Sequence, residues 1–110
     1  MTGLTRKEEL ILLSILNLKQ NAYLIAITDH LSLIMRQKVT ITSVHLPLTR
    51  LERRGLIESK LGEATAVRGG RRKRIYTITR MGFAELHEYK RIHDKLWKKY
   101  AKMFTQKDNV

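Results

Sequence analysis

The sequence predicts a mainly α-helical domain with a single small β-hairpin. Three observations favour this class: apolar residues recur at helical spacing over residues 9–51, two short β-rich runs flank a Gly-Gly pair, and a heptad-like pattern occupies the end of the chain. The 110 residues have the length of one domain.

Basic residues dominate the charge. The chain carries 22 Lys and Arg against 10 Asp and Glu, a formal net charge of +12, and residues 50–80 alone contain ten basic and three acidic residues. Such an excess favours a polyanionic partner, either nucleic acid or an anionic membrane surface. The longest apolar stretch, residues 10–18, is too short to cross a bilayer. The charged N-terminus lacks the apolar region of a secretory signal, so we expect no membrane association.

Composition also argues against chemistry at an active site. The chain contains no cysteine, which excludes disulfides, thiolate metal sites and a Cys nucleophile. His87 and His93 lie six residues apart, which is not the spacing of a helical metal site. We therefore expect no catalytic residue, no metal and no cofactor.

The first two helices are predicted from a cap and from periodicity. Residues 5–8, TRKE, form a capping box in which the side chains of Thr5 and Glu8 bind each other's backbone N–H groups. The helix that follows, to Leu18, is apolar on almost every face, so we expect it to contact both its own core and a second subunit. Residues 22–35 form the second helix, whose core stripe comprises Tyr23, Ile27, Leu31 and Ile34.

A third helix is predicted over residues 41–54. Val39 and Thr40 are expected to form a brief strand before it, and Thr40 to cap it. Pro47 is expected to kink the helix or to remove a backbone hydrogen bond, and Gly55 to end it in a left-handed conformation. Its core stripe comprises Ile41, Val44, Leu48 and Leu51, and the opposite face is polar and basic.

Two strands, residues 56–61 and 74–78, flank a basic connection that contains Gly69 and Gly70. We expect Tyr76 and Ile78 to share one face of the second strand. The connection, residues 62–73, predicts a hairpin with a cationic tip.

A long last helix, capped by Thr79, is predicted from residue 80 to Phe104, followed by a flexible polar tail over residues 105–110. Its apolar seam has heptad spacing and, with Trp97 beside it and two residues of the first helix, forms the expected dimer interface. A monomer would expose a large apolar patch. The interface residues are Leu10, Leu13, Leu86, Tyr89, His93, Leu96, Trp97, Tyr100 and Met103.

Three helices followed by a basic hairpin are typical of a winged helix-turn-helix, here residues 1–79, with residues 80–104 as the dimerisation helix. In this arrangement the third helix fits the DNA major groove, and the hairpin reaches phosphates or the adjacent minor groove. The expected DNA contacts are Thr42, Ser43, His45, Leu46, Thr49, Arg50 and Arg53 on the helix and Arg68, Arg71, Arg72, Lys73 and Arg74 at the hairpin.

Three segments resemble the PadR family of bacterial transcriptional regulators, in its short form with a single C-terminal dimerisation helix. They are ELILLSIL at residues 9–16, ITSVHLPLTRLERRGLI at 41–57 and RGGRRKRIYTITRMG at 68–82. The resemblance covers about residues 5–90 and implies a cytoplasmic, nucleoid-associated homodimer that represses transcription from an inverted repeat in double-stranded DNA. The sequence departs from the family at His45, where members usually carry tyrosine, and in having Pro47 one place later than usual.

Other functions remain as alternatives. A small basic RNA-binding or ribosome-associated protein would use the same charge, although single-strand RNA binders expose aromatic stacking platforms and aromatic residues make up only 6% of this chain. A protein scaffold would leave the hairpin arginines dispensable. The family resemblance also allows a small aromatic or cationic effector in a pocket that Trp97 and Tyr100 border.

Overall fold

The computed structural model describes residues 3–62 and 72–108. Within these residues the chain forms the helices α1 (Arg6–Leu18), α2 (Leu24–Met35), α3 (Ile41–Arg53) and α4 (Arg80–Asp108) and the strands β1 (Ile57–Leu61) and β2 (Arg74–Ile78). A 3-10 turn, Lys19–Asn21, joins α1 to α2. The two strands pair antiparallel between α3 and α4. The predicted fold class is confirmed.

The predicted capping box begins α1. The Thr5 backbone N–H donates to Glu8 Oε1 at 2.8 Å, and the Glu8 N–H donates to Thr5 Oγ1 at 3.1 Å. Glu8 is buried, and its Oε2 lies 3.7 Å from Nη1 of Arg54, which follows α3. The cap of α1 therefore also holds the end of α3.

The core lies where α1, α2 and α3 meet, and the strands and the start of α4 close it. Each fully buried aliphatic side chain contributes about 1.5–3 kcal/mol to folding. The prediction that Ile34 and Ile41 belong to the core is wrong, because these side chains are 59% and 48% exposed. Both lie in terminal turns, where the neighbouring helices no longer cover the apolar stripe. The central residues of the core are Ile11, Leu12, Ile15, Ile27, Leu31, Val44, Leu48, Leu51, Leu56 and Ile57.

The strand predicted at Val39 and Thr40 does not form. Val39 instead donates its N–H to Ser32 Oγ at 3.0 Å, which fixes the connection to the end of α2. Thr40 serves as the N-cap of α3, where its Oγ1 accepts the Ser43 N–H at 3.2 Å. The backbone at Thr40 is extended, but it is used for the cap rather than for sheet pairing.

A different residue, Tyr23, pairs with strand β2. Tyr23 lies just before α2 and has an extended backbone. Tyr23 forms an isolated antiparallel bridge with Ile75, and the Tyr76 N–H donates to the Ala22 carbonyl at 2.9 Å. Because Ala22 and Tyr23 pair with β2, α2 begins at Leu24, two residues later than predicted.

The end of α3 is a tight glycine turn. The helix runs through Pro47, whose side chain is buried and which cannot donate a backbone hydrogen bond. Gly55 has the predicted left-handed conformation, with φ of 77°. Its N–H donates to the Glu52 carbonyl, and the Leu56 N–H donates to the Leu51 carbonyl, both at 3.0 Å. This pair of bonds satisfies two terminal carbonyls of α3.

The hairpin pairs Ile57 with Ile78 and Ser59 with Tyr76. Tyr76 is buried and Ile78 packs against the core, as predicted for one face of β2. The Gly-Gly turn and its neighbours, residues 63–71, lie outside the described residues.

Thr79 caps α4, as predicted. Its Oγ1 accepts the Gly82 N–H at 3.1 Å and donates to the Gly55 carbonyl at 2.7 Å. The helix continues to Asp108, so the predicted end at Phe104 is wrong. Residues 105–108 contain neither the proline nor the glycine that would favour an earlier stop.

Replacing Gly82 with alanine is expected to destabilise the protein by about 3 kcal/mol or more, since a Cβ cannot fit without backbone movement. That atom would lie 2.1 Å from the Leu56 carbonyl oxygen and 2.7 Å from Cγ2 of Ile78. Urea unfolding at a fixed protein concentration measures the loss.

Gly55→Ala is the matched control. A Cβ at this position meets no atom within 4 Å, so only the left-handed backbone is penalised, by about 1–2 kcal/mol. Equal losses in the two variants would contradict the close packing of Gly82.

Candidate nucleic-acid interface

The outer face of α3 carries most of the predicted DNA-contacting side chains. Thr42, His45, Leu46, Thr49, Arg50 and Arg53 are exposed, and Ser43 is half-buried. The buried Val44, Leu48 and Leu51 fix the opposite side of the same helix in the core. The core therefore holds this polar face toward solvent.

Two hydroxyl groups on this face already donate their protons. Ser43 Oγ donates to the Thr40 carbonyl at 2.8 Å, and Thr49 Oγ1 donates to the His45 carbonyl at 3.0 Å. In this conformation both oxygens are available as acceptors. An exposed acceptor oxygen suits the amino group of adenine or cytosine, while the threonine methyl suits the thymine methyl group.

The three arginines at the end of α3 have different environments. Arg54 is anchored, since its Nη1 lies 3.7 Å from Glu8 Oε2 and donates to the Gly3 carbonyl at 3.3 Å. Arg50 and Arg53 are exposed and form no ion pair within residues 3–62 and 72–108. Arg50 and Arg53 are thus free to bind an anion, whereas Arg54 stabilises the fold.

The three basic residues Arg72, Lys73 and Arg74, here called the wing base, are all exposed. The Lys73 ammonium lies 4.1 Å from the centroid of the Tyr23 ring, which is within cation–π range. Arg68 and Arg71, predicted with them, lie outside the described residues.

A hydrogen-bonded relay connects the wing base to α3. Arg74 Nη1 donates to Ser59 Oγ at 3.0 Å, and Ser59 Oγ donates to Glu52 Oε2 at 2.6 Å. Glu52 and Ser59 were not among the residues predicted for this interface. In the sequence, Glu52 stands out as the one carboxylate among the arginines at the end of α3. Its link to Arg74 could not be predicted, because only the strand register brings Ser59 between the two side chains.

The same cluster affects Tyr76. Burial raises the pKa of the Tyr76 phenol above its ordinary value of 10.0, and the negative charge of Glu52 raises it further, while Arg74 lowers it in part. The phenol is therefore neutral at physiological pH.

The predicted interface residues of α4 divide into two groups. Leu86 is buried and Tyr89 packs against the chain's own core. Farther along, Leu96, Tyr100 and Met103 are 62%, 56% and 63% exposed. On α1, Leu10 is half-buried and Leu13 is 40% exposed.

Aromatic rings continue along α4. His93 lies between Tyr89 and Trp97, with ring centroids 6.0 Å and 6.2 Å apart, and Trp97 meets Tyr100 edge-on at 5.3 Å. Leu96, Trp97 and Tyr100 line a shallow depression of about 240 Å³, where the effector pocket was predicted.

The described residues contain no group of three or more His, Cys, Asp or Glu side chains arranged to hold a metal ion. None of the described helices is long and apolar enough to cross a membrane.

Comparison with known proteins finds one family model and several solved structures that all describe the same kind of protein. A family model described as the transcriptional regulator PadR-like family matches residues 12–88. A PadR-like transcriptional regulator from Bacillus cereus superposes with a TM-score of 0.68 at 22% identity, over 89% of this chain and 90% of that chain. A PadR-like transcription factor from Bacteroides fragilis gives 0.67 at 21% identity, over 88% of each chain.

A third solved structure, a PadR family transcription regulator from Clostridium difficile, is 25% identical with a TM-score of 0.63, over 89% of this chain and 97% of that chain. No match was found among curated proteins. The predicted family resemblance and the winged-helix fold are confirmed.

The raised pKa of Tyr76 predicts that stability falls in alkaline solution. Below about pH 9 the phenol is protonated in both states; above it, the unfolded chain loses this proton first and is favoured. The free energy of unfolding should decrease by up to about 1.4 kcal/mol per pH unit from this group, until the folded phenol also ionises. Tyr76→Phe should show a shallower decrease between pH 9 and 11 in urea unfolding, roughly the window set by an ordinary tyrosine pKa. Parallel curves for the two proteins would contradict the effect.

Proposed function

Because this chain belongs to the PadR-like family of transcriptional regulators, we propose that it is a repressor that binds an inverted-repeat operator as a homodimer. In this proposal, residues 41–54 enter the major groove, and residues 62–73 contact phosphate or the minor groove. One observation carries it: the exposed face of α3 presents Arg50 and Arg53 without an ion pair among the described residues, while the neighbouring Arg54 is paired with Glu8. Regulators of this family bind DNA and typically dimerise.

The residues of α3 have different proposed roles. An α-helix fits the major groove, which is about 12 Å wide. Thr49 and His45 contact base edges, because both are exposed in the middle of the helix. Arg50 and Arg53 bind phosphate or guanine, and Thr42 donates to a phosphate near the helix start. Ser43, whose hydroxyl proton is donated to the Thr40 carbonyl, offers its oxygen to a base amino group.

The wing supplies affinity rather than sequence selection. Arg72, the wing-base arginine that forms no hydrogen bond among the described residues, binds phosphate together with Arg68 and Arg71. Arg74 keeps the wing oriented toward α3 through Ser59 and Glu52, and this relay supports a fixed distance between the two DNA-binding elements.

Dimerisation uses the exposed apolar face of α4 together with Leu10 and Leu13 of α1. This face comprises Leu96, Trp97, Tyr100, Met103 and Phe104, each more than half exposed in the single chain. Apolar area of this extent on one side of a helix favours association. A second copy also completes the pocket at Trp97 and Tyr100, and this pocket binds a small aromatic or cationic effector. The protein acts in the cytoplasm.

Arg72→Ala is expected to weaken binding to all duplexes by similar factors. It should also flatten the plot of log affinity against log salt by about 1.8, because the homodimer loses two phosphate contacts at about 0.9 each. Thr49→Ala should instead change the preferred sequence selected from a random duplex pool, because it removes a contact to base edges.

The matched control is Lys98→Ala, which removes one exposed positive charge from α4, far from the wing along the helix. Unchanged salt dependence in Arg72→Ala would contradict the role of the wing. A preference for single-stranded RNA over every duplex would favour the RNA-binding alternative.

Leu96→Asp is expected to convert the dimer to a monomer, because the carboxylate would lose water against the second copy. Light scattering should report twice the chain mass of 12.9 kDa for the parent and the single mass for the variant. The control is Lys95→Asp, which introduces the same side chain on the exposed, charged side of α4. A parent protein that is monomeric at micromolar concentration would contradict the proposed dimer.

A further inference from the structure

A groove beside the first turn of α3 is separate from the aromatic depression on α4. It has a volume of about 490 Å³ and lies between the start of α1, the end of α2 and the connection that leads into α3. Small-molecule sites commonly have volumes of this order. The groove was not anticipated from the sequence, because its walls come from three separate segments.

The floor of the groove is aliphatic. Leu31 is buried beneath it, Leu10 and Val39 are half-buried, and the Met35 side chain is 39% exposed. No aromatic residue is among the described residues that line the groove. Such a surface suits a flexible alkyl chain, since it offers no flat ring on which a planar aromatic molecule would stack.

The rim of the groove is cationic. Arg6, Lys7 and Lys38 line it and are exposed, and none of the described lining residues is acidic. An anion above the aliphatic floor would therefore meet positive charge from α1 and from the α2–α3 connection. Charge and hydrophobicity together select a molecule with an apolar chain and an anionic head.

The groove is held open by hydrogen bonds that do not involve a ligand. Ser32 Oγ donates to the Thr28 carbonyl and accepts the Val39 N–H, both at 3.0 Å. The Gln37 N–H donates to the Ser32 carbonyl at 3.3 Å. These bonds fix the connection as a wall, so that a ligand does not need to order it.

We propose that this groove binds an aliphatic carboxylate of medium chain length and that this ligand opposes DNA binding. The alkyl chain lies on Leu10, Leu31 and Val39, and the carboxylate lies among Arg6, Lys7 and Lys38. The effect on DNA rests on the proposed function: Thr40 and Ser43 line the groove and also form the start of the DNA-reading helix. A carboxylate at this place repels the approaching phosphate backbone.

Binding is measured on the free, full-length protein with decanoate as the probe. Calorimetry should give saturable binding that is at least about tenfold tighter than that of acetate, which lacks the chain, or of decanol, which lacks the charge. Amide shifts in a two-dimensional NMR spectrum should concentrate at Val39, Thr40 and Ser43. Shifts confined to α4 would overturn the proposal, because decanoate would then occupy the apolar face of that helix.

Charge-reversal variants test the rim. Lys38→Glu should weaken decanoate binding by about tenfold or more, the size expected for replacing an attractive contact with a repulsive one. Lys98→Glu makes the same change in net charge on α4 and should leave the affinity unchanged. Equal weakening by both variants would show that only overall charge matters, and would overturn the site.

A separate titration tests the consequence for DNA. Decanoate should lower the affinity of the parent protein for duplex DNA and have a smaller effect on the affinity of Lys38→Glu. Both proteins are used at concentrations that bind the same fraction of the DNA before decanoate is added. Decanoate binding in the groove with unchanged DNA affinity would overturn the regulatory part of the proposal. Decanoate binding by a protein that binds no duplex would support the groove and contradict the proposed function.

Discussion

The arrangement of the whole molecule depends on one backbone turn, at Gly55 and Leu56. The Leu56 N–H closes α3 through the Leu51 carbonyl, and the Leu56 carbonyl accepts the Thr79 N–H at 3.1 Å, next to the start of α4. The Leu56 side chain is buried at the same point. Because α3 and α4 are both fixed to this turn, the polar face of α3 has a set orientation relative to the apolar face of α4. A dimer formed through α4 would therefore also fix the separation of its two α3 helices.

The basic residues divide into those that are held by other groups of the fold and those that remain open to a ligand. Arg54 is held by Glu8 and by the Gly3 carbonyl, and Arg74 is held by Ser59. Arg50 and Arg53 project into water. An arginine that is already hydrogen-bonded has fewer donors for phosphate, whereas an unpaired one loses only water and side-chain freedom on binding. The distribution of the acceptors Glu8, Ser59 and the backbone carbonyls thus separates the two roles.

The described surface also separates two types of apolar patch. The face of α4 is broad, aromatic and continuous along the helix, which suits a second helix with the same residues. The groove near α3 is narrow, aliphatic and bordered by cations, which suits a small anion. One patch lies on the element that sets the spacing of a dimer, and the other lies at the start of the helix that would read DNA. The proposed dimer face and the proposed ligand groove therefore lie on different elements, apart from Leu10 of α1, which belongs to both.

The sequence by itself determined the number and order of the helices, the caps of α1, α3 and α4, the pairing of the two strands, the glycine turn and the family. These features depend on local spacing: Thr5 and Glu8 are one turn apart, and Gly55 directly follows the last turn of α3. The tertiary structure decided which apolar residues are covered, as the exposure of Ile34 and Ile41 shows. It also decided that Tyr23, rather than Val39, pairs with β2. It likewise decided that Arg74 is held by Ser59, whereas Arg50 has no ion pair among the described residues. The physical reason is that caps and turns are satisfied by residues a few positions away, whereas burial, strand pairing and side-chain relays require partners that are brought together only when distant segments pack.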